Sequence, residues 1–260
     1  MTPAERIAAC EHRWSIRVEA PFPDRSYNWV APAGDVVLKL GQTSDAELAS
    51  EAAALRAYAG NGAVRLVDVD LALGALLLER VRPGTNLVGL DEERATTIAI
   101  DVMQRLHAAP LPPPVSEIPS LAAWTDGIER AAAAGFAPAL IDRAARLRGE
   151  LLASAPTPVL LHGDLHHYNV LAGDRETYVA IDPKGVAGDP AYEPSVFLYN
   201  PFERVPDART LARRIDRFAE VLDRERVVGW AYVQCVLSAW WTREDEGRDD
   251  PGMLAFAELL

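Results

Sequence analysis

Short apolar runs separated by turn residues dominate the first part of the chain, and this pattern predicts β-strands. Gly, Pro and Asp bound the runs, as is typical of a small antiparallel sheet. One segment differs because its apolar residues recur at helical spacing, and it predicts a helix that begins at a cap, Ser44 or Asp45, and ends at about Tyr58. The predicted strands span residues 15–20, 27–31, 36–40, 64–69 and 75–81.

Beyond residue 84 the hydrophobic positions recur every three or four residues, which predicts amphipathic helices. The predicted helices span residues 91–108, 121–134, 137–153, 207–222 and 225–241. Between the third and fourth of these helices, Val170-Leu171 and the run from Tyr178 to Ile181 suit a β-hairpin. The whole pattern predicts an α+β protein, with a small β-rich lobe over residues 1–81 and a larger, mainly helical lobe over residues 82–260.

The composition indicates a folded protein with an acidic surface. Of its 260 residues 49% are hydrophobic, enough to bury a core, and 38 acidic residues against 26 basic ones give a formal net charge of −12. Such a surface repels nucleic acid and anionic membranes and attracts cationic small molecules. We therefore expect a cationic small molecule as partner, with no nucleic acid and no membrane. The sequence carries no signal for the oligomeric state.

Cysteine usage and the amino-terminal segment both favour a reduced, cytoplasmic protein. The two cysteines, Cys10 and Cys235, match neither a zinc-binding spacing nor a disulfide framework. Charges interrupt residues 1–14, which lack the apolar core of a signal peptide. No apolar run approaches the roughly 20 residues that a membrane-spanning helix needs.

Lysine is rare in this chain. Arginine supplies nearly all the basic charge, and the two lysines are Lys39 and Lys184. An ammonium is a compact point charge on a flexible stem, whereas a guanidinium is a wide planar fork. A retained lysine therefore suggests a place that a guanidinium would not fit.

The stretch HGDLHHYNVLAGDRETYVAIDPKG, from His162 to Gly185, carries the strongest chemical signal in the chain. Asp164 precedes Asn169 by five residues, and a β-rich run leads into Asp182. Phosphoryl transfer from ATP uses such a set: one carboxylate orients or deprotonates the acceptor hydroxyl, while an amide and a second carboxylate hold Mg²⁺. Protein kinases place these groups in the motifs HRDLxxxN and DFG. The stretch therefore predicts a kinase that uses ATP and magnesium.

The pattern HGDLHHYNVL…IDPKGVAGDPAYE resembles the aminoglycoside phosphotransferase family, and within it the streptomycin 6-phosphotransferase and hydroxyurea-kinase branch. The resemblance implies a bilobal protein-kinase-like fold. The lobe over residues 1–81 would bind the nucleotide, and the lobe over residues 82–260 would carry the catalytic loop and the acceptor site. By the same resemblance Asp164 is the catalytic carboxylate, and Asn169 and Asp182 are the Mg²⁺ ligands.

The resemblance also implies which residues hold the nucleotide. Lys39 would neutralise the α- and β-phosphates, as the strand lysine of kinases does. Its partner would be a glutamate of the following helix; Glu51 is preferred, and Glu47, four residues earlier on the same face, stays open. Backbone groups from Glu79 to Val81 would bind the adenine.

Two positions depart from the kinase pattern. The loop over residues 21–26 has no glycine, although phosphate-covering loops use glycine for close backbone approach, so Ser26 becomes the candidate phosphate donor group and the choice between ATP and GTP stays open. Lys184 adds a charge to a D-P-K-G motif that is one residue longer than D-F-G. It is predicted either to contact phosphate or to pair with an acid such as Asp189 or Glu193.

A cationic, hydroxyl-rich acceptor needs carboxylates and aromatic faces around it. The candidates are Glu193, Tyr199, Trp240 and Glu244. The leading substrate is a hydroxyl of an aminoglycoside or aminocyclitol antibiotic such as streptomycin. Choline, homoserine, a sugar amine and hydroxyurea are the alternatives within the same fold.

Two other classes of protein stay open. In a metal-dependent hydrolase, His162, Asp164, His166 and His167 would bind a transition metal, but Lys39 would then have no role. In an inactive kinase fold that serves as a binding module, the missing glycines would be explained, but the complete set of acidic and amide residues would not.

Overall fold

The first lobe of the protein is a four-stranded antiparallel sheet with helices packed beside it. The computed structural model describes residues 1–23, 28–41, 46–113 and 117–260. The strand order is β1-β2-β4-β3. The elements of this lobe are α1 (Pro3–Trp14), β1 (Trp29–Ala33), β2 (Val36–Leu40), α2 (Ala46–Tyr58), β3 (Leu66–Asp70) and β4 (Ala75–Glu79). The structure thus contains the strands predicted at residues 36–40, 64–69 and 75–81, and it contains the predicted helix α2. The caps proposed for α2, Ser44 and Asp45, lie outside the described residues.

Helix α1 and the segment after it differ from the predicted pattern. A capping box at Thr2 begins α1, a helix that the sequence pattern did not predict. The prediction of a strand over residues 15–20 is wrong, because residues 16–20 have irregular backbone structure. The amide of Glu19 donates to the carbonyl of Pro32 in β1, but Pro21 has no N–H with which to continue a ladder.

The second lobe is mainly helical and contains two small sheets, ordered β5-β7-β8 and β6-β9. Its strands are β5 (Pro83–Asn86), β6 (Val159–Leu161), β7 (Val170–Gly173), β8 (Tyr178–Ala180) and β9 (Val186–Gly188). Its helices are α3 (Glu92–His107), α4 (Leu121–Trp124), α5 (Gly127–Ala133), α6 (Pro138–Ala153), α7 (Ser195–Tyr199), α8 (Ala208–Phe218), α9 (Arg224–Glu246) and α10 (Pro251–Ala257).

The predicted helix over residues 121–134 is interrupted, and Thr125 explains why. Its buried hydroxyl donates to the carbonyl of Leu121 at 2.7 Å and accepts from Arg148 Nε at 2.7 Å. A threonine side chain that bonds to nearby backbone competes with regular helical geometry. The segment therefore forms two short helices, α4 and α5, with Thr125 between them.

Helix α9 forms the centre of the second lobe. Trp230, Tyr232 and Cys235 have no solvent exposure, and α6, α7, α8 and α10 pack around them. A helix surrounded on all sides is apolar all round rather than amphipathic. No helix among the described residues combines the length and the apolar character that crossing a bilayer requires.

The β7–β8 hairpin connects the two lobes. The amide of Ala180 donates to the carbonyl of Gly62 at 2.8 Å, and the amide of Val64 donates to the carbonyl of Ala180 at 2.9 Å. At the tip of the hairpin, Arg175 forms two hydrogen bonds to the carboxylate of Glu79, at 2.8 and 3.0 Å. These contacts fix the end of β4 against the hairpin that carries the motif residues.

Gly185 lies where α2 packs closely against the segment after β8, and we expect an added methyl group there to destabilise the fold. Its φ is +67°, and a Cβ would lie 2.9 Å from Ala54 Cβ and 2.9 Å from Ser50 O. Gly135 has nearly the same φ, +68°, with nothing within 4 Å of its Cβ position. Gly185→Ala should lower the free energy of unfolding by about 1–3 kcal/mol more than Gly135→Ala, because overpacking adds to a shared backbone strain.

Urea unfolding of the two variants measures this difference. Equal losses in Gly185→Ala and Gly135→Ala would show that α2 does not pack tightly on Gly185.

Candidate active site

The ammonium of Lys39 lies between two carboxylates where the lobes meet. Lys39 projects from β2 with a side chain only 5% exposed, and its Nζ lies 2.6 Å from Glu51 Oε2 on α2. The same Nζ donates to Asp182 Oδ1, just beyond β8. Although burial lowers the pKa of Lys39, the two carboxylates raise it above its ordinary value. Burial raises the pKa of Glu51 to about 7, even though the nearby ammonium opposes that change.

Helix α2 presents two glutamates to two different lysines. Glu51 forms the ion pair with Lys39, so the structure agrees with the choice of Glu51 over Glu47 as the partner of Lys39. Glu47, one turn earlier, has its Oε2 3.2 Å from Lys184 Nζ. The expectation that Lys184 pairs with Asp189 is wrong, because the Asp189 carboxylate is buried among groups of α9 instead.

Asp182 is held in a backbone conformation unusual for a residue with a side chain. Its φ is +59°, in the left-handed region, a conformation found disproportionately at functional sites. Burial raises the pKa of Asp182, but the charges of Lys39 and Lys184 more than compensate and hold it below its ordinary value. The carboxylate is therefore ionised and faces two cations.

The β7–β8 hairpin brings Asn169 next to Asp182. Val170 pairs with Ala180 across the hairpin, and the amide of Ile181 donates to the carbonyl of Asn169 at 2.9 Å. The side-chain amide of Asn169 donates to the carbonyl of Asp164 at 2.9 Å and to its Oδ2 at 3.3 Å. The NH₂ end of Asn169 is thus used by the loop, which leaves its side-chain oxygen as the atom that could bind a cation.

Asp164 lies in the loop after β6 with its side chain 28% exposed. Its backbone amide donates to His162 Nδ1 at 3.2 Å, and His162 Nε2 lies 2.9 Å from the carbonyl of Ile181. His162 is completely buried, and burial lowers its pKa. His162 therefore ties the Asp164 loop to the Asp182 segment, while Asp164 itself stays accessible to a substrate.

Glu193 supports this loop from the inside of the protein. Its side chain has no exposure, and its two oxygens accept from the amides of His162 at 2.7 Å and Gly163 at 2.9 Å. His107, at the end of α3, approaches the same carboxylate at 3.1 Å. These contacts contradict the prediction that Glu193 binds the substrate or pairs with Lys184, because both its oxygens are committed to the loop. No pattern in the sequence pointed to His107.

The other residues predicted to contact the acceptor lie in different surroundings. Tyr199 is 5% exposed, burial raises its pKa, and its ring centroid lies 6.0 Å from that of Phe202 and 6.2 Å from that of Phe256. Trp240 is 9% exposed and packs on Phe136, with ring centroids 5.5 Å apart. Glu244 forms an ion pair with Arg130 at 3.0 Å. The structure therefore shows Tyr199, Trp240 and Glu244 all engaged with other residues of the protein.

A line of polar side chains, for which the kinase resemblance implied no role, leads outward from Asp164. His166 Nε2 lies 3.5 Å from Asp164 Oδ1, and the His166 ring meets the ring of Tyr168 edge-on at 5.7 Å. The Tyr168 hydroxyl donates to Glu203 in the segment after α7. Phe202 beside it is 59% exposed. A carboxylate and two aromatic rings thus lie on the open side of the loop, and alternating polar and aromatic residues in HHYN were the one signal available.

The residues predicted to bind adenine lie at the junction of the lobes. The side chain of Glu79 is occupied by Arg175 and by the amide of Arg65, at 3.0 Å. The backbone amides of Glu79 and Arg80 donate to the carbonyls of Arg65 and Asp35. Val81 lines a cleft of about 160 Å³ together with the tip of the β7–β8 hairpin. Ser26, the candidate phosphate donor group, lies outside the described residues.

The histidines do not form a transition-metal site. Among the residues that the structure describes, no three His, Cys, Asp or Glu side chains come together in a metal-binding arrangement. His167 stacks on Phe197 at 4.1 Å, and burial lowers its pKa to about 3. His162 is bonded to the backbone of Ile181. This geometry removes the basis for the metal-dependent hydrolase.

The fold and these side chains together define a phosphotransferase with the protein-kinase-like fold. The same fold is found in a thermostable mutant of the aminoglycoside phosphotransferase APH(4)-Ia, solved as a ternary complex with AMP-PNP and hygromycin B. The TM-score is 0.69 at 16% sequence identity, covering 99% of this chain and 96% of that one.

Sequence comparison places the chain within a particular family. A model of the aminoglycoside/hydroxyurea antibiotic resistance kinases matches residues 30–246. A hydroxyurea phosphotransferase of Kitasatospora aureofaciens is 37% identical over 92% of this chain and 73% of its own length. A streptomycin 6-kinase of Streptomyces griseus is 32% identical over 98% of this chain and 88% of its own length. The protein belongs to the aminoglycoside/hydroxyurea antibiotic resistance kinase family, and it is a kinase.

Replacing Glu193 should destabilise the catalytic loop. In Glu193→Gln an NH₂ group replaces one oxygen that accepts from a buried amide, so we expect the free energy of unfolding to fall by about 1.5–3 kcal/mol. Hydrogen exchange of the His162 and Gly163 amides should become faster. Glu220→Gln, which removes an exposed carboxylate paired with Arg217, is the matched control. Unchanged exchange at both amides in Glu193→Gln would contradict the anchoring role.

Proposed function

We propose that this kinase transfers the terminal phosphoryl group of ATP, in the presence of Mg²⁺, to a hydroxyl of an aminocyclitol or aminoglycoside such as streptomycin. The observation that carries the proposal is the convergence of Lys39, Asp164, Asn169 and Asp182 from both lobes on one place. In this proposal residues 1–81 form the nucleotide-binding lobe and residues 82–260 carry the catalytic loop and the acceptor site. The APH(4)-Ia complex supports it, because that protein binds AMP-PNP in the same fold.

The donor set fits Mg²⁺. Asp182 offers an ionised carboxylate, and Asn169 offers the amide oxygen that its own loop contacts leave available. Hard cations such as Mg²⁺ take one or two such oxygens from the protein and the rest from phosphate and water. Asn169 and Asp182 would therefore hold the ion, which would neutralise charge on the phosphates of the bound nucleotide.

Each residue of the site has a distinct task in this proposal. Lys39 binds the α- and β-phosphates, and its bond to Glu51 keeps the ammonium aimed at them. Asp164 accepts a hydrogen bond from the acceptor hydroxyl and takes its proton while the acceptor oxygen attacks the terminal phosphorus. General-base assistance of this kind contributes about 10²–10⁴-fold to a rate. Backbone groups from Glu79 to Val81 bind the adenine.

The surroundings of Asp164 favour a cationic acceptor. Glu203 supplies a carboxylate there, Tyr168 and exposed Phe202 supply aromatic faces, and the protein as a whole carries a net charge of −12. Aromatic faces and carboxylates recognise amines and guanidines. Two streptomycin 6-kinases, 32% and 34% identical to this chain, agree with such an acceptor.

Hydroxyurea is the second candidate acceptor. It is favoured by the 37% identity to the hydroxyurea phosphotransferase over 92% of the chain. ATP consumption measured with streptomycin, hydroxyurea, choline, homoserine and an amino sugar distinguishes the acceptors. Turnover with hydroxyurea alone would replace the aminocyclitol assignment.

Asp164→Asn should abolish phosphoryl transfer and leave nucleotide binding nearly intact. The amide keeps the shape of the side chain but cannot take a proton, so we expect kcat to fall by about 10²–10⁴-fold. The dissociation constant of ATP with Mg²⁺, measured by calorimetry, should change by less than about threefold, which is less than about half of the 1.4 kcal/mol that a tenfold change represents. Turnover similar to that of the unmodified protein would refute the role of Asp164.

Glu203→Gln should weaken binding of a cationic acceptor selectively. Loss of one partly exposed charge is worth about 1 kcal/mol or less, so we expect KM for streptomycin to rise by up to about fivefold. Neutral hydroxyurea should show no change. Steady-state kinetics with both acceptors, and with Glu220→Gln as the control for removing an exposed carboxylate, measures this difference. An equal effect on both acceptors would exclude charge recognition by Glu203.

A further inference from the structure

Lys184 occupies a rigid position beside the proposed phosphate site. Its amide donates to the carbonyl of His162 at 2.7 Å, and its carbonyl accepts from Ser50 Oγ of α2 at 2.5 Å. Pro183 precedes it, and Gly185, packed against α2, follows it. The backbone is therefore fixed to both the catalytic loop and α2, and only the side chain is left to move.

The two lysines of the chain form ion pairs of very different strength. Lys39 and Glu51 are both 5% exposed at the side chain, whereas Lys184 is 26% exposed and its partner Glu47 is 57% exposed. A solvent-exposed ion pair contributes about 0–1 kcal/mol, while breaking a buried one costs about 3–5 kcal/mol. Lys184 can therefore exchange Glu47 for another anion at little cost, and Lys39 cannot leave Glu51.

The pocket beside Lys184 is lined mainly by charged side chains. Three of its lining residues within the described chain carry carboxylates, Glu47, Glu51 and Asp182, and Lys184 carries an ammonium. The charges of Asp182 and Asp164 also act on Lys184. Lys184 follows Asp182 by two residues, and its Cβ lies 3.3 Å from the place that a Cβ would take at Gly163, the residue before Asp164. Lys184 is thus next to both the proposed metal ligand and the proposed catalytic carboxylate, where the transferring phosphoryl group would pass.

We propose that Lys184 is a second catalytic cation, which leaves Glu47 when ATP binds and donates hydrogen bonds to the oxygens of the terminal phosphoryl group. The inference rests on the proposed function. During transfer the bond from the acceptor oxygen to the terminal phosphorus forms, and the bond from that phosphorus to the bridging oxygen breaks with its electron pair going to ADP. Asp164 takes the hydroxyl proton. Lys184 keeps its own protons and stabilises the charge on the group in transit, as a preorganised donor does.

Nucleotide binding separates this role from a structural one. ADP lacks the group that Lys184 would contact, so Lys184→Met should weaken binding of ATP with Mg²⁺ about tenfold and binding of ADP with Mg²⁺ hardly at all, as the loss of one charge-assisted hydrogen bond implies. Lys184→Arg, which keeps the charge, should retain part of the preference for ATP. Glu47→Gln removes the competing carboxylate and should tighten ATP binding. Arg243→Met, at the exposed end of α9, controls for the loss of a positive charge.

Kinetics supplies the second measurement. Lys184→Met should lower kcat by about 10²–10³-fold, the usual cost of removing one donor to a developing charge. If Lys184 only holds Glu47, then Lys184→Met and Glu47→Gln will change ATP binding and kcat in the same direction and by similar amounts, and the proposal is overturned. If the unmodified protein binds neither ATP nor ADP, the proposed function itself fails. If it binds both and Lys184→Met keeps their ratio, only the role of Lys184 fails.

Discussion

The buried ammonium of Lys39, bonded to Glu51 and Asp182, joins the three parts of the molecule that build the site. The sheet supplies the lysine through β2, α2 supplies Glu51, and the segment after β8 supplies Asp182. Removing Lys39 would leave the buried Glu51 carboxylate without its cation, and breaking a buried ion pair in this way typically costs about 3–5 kcal/mol. The position of the sheet and α2 relative to the motif hairpin is therefore fixed by electrostatics as well as by apolar packing. A site assembled from two lobes needs such a constraint, because small displacements of reacting groups cost much of the rate.

A second buried carboxylate plays the corresponding part beneath the loop that carries Asp164. Both oxygens of Glu193 accept hydrogen bonds, from the amides of His162 and Gly163, and His107 approaches the same carboxylate from α3. Asp164 directly follows Gly163, so its side chain projects from a loop whose backbone these hydrogen bonds hold in place. Burial raises the pKa of Glu193, but hydrogen bonds and charge from His107, with help from His162, hold it below the ordinary value. The charge is retained because it is fully bonded, as buried carboxylates must be.

Residues that meet over short separations along the chain could be predicted from the sequence. Residues whose surroundings are set by tertiary packing could not. Asp164, Asn169 and Asp182 lie within one hairpin and the loop before it, so spacing alone implied that they meet. The pairing of Lys39 with Glu51 was implied by the family resemblance, which places the lysine in a strand and its glutamate partner in the following helix. Glu193 was misassigned because nothing in a linear pattern distinguishes a buried acid from an exposed one. Trp240 and Glu244 were chosen for their chemistry, but the packing of α9 gives them other partners. Glu203 lies in a single turn of 3-10 helix, Phe202–Arg204, which is too short for a periodic pattern to indicate a site.

The two lysines show how a difference in burial can give the same chemical group two different roles. Both ammonium groups face carboxylates of α2 one helical turn apart, and both lie close to Asp182. Lys39 is held by groups that cannot be solvated if it leaves, so it acts as a fixed part of the scaffold. Lys184 is held by a glutamate that water can solvate, so an incoming phosphate competes for it on nearly equal terms. A guanidinium would suit neither place well, because its wide planar fork does not fit between closely spaced carboxylates or swing compactly from one anion to another. The retention of lysine at these two positions, in a chain otherwise rich in arginine, follows from that difference.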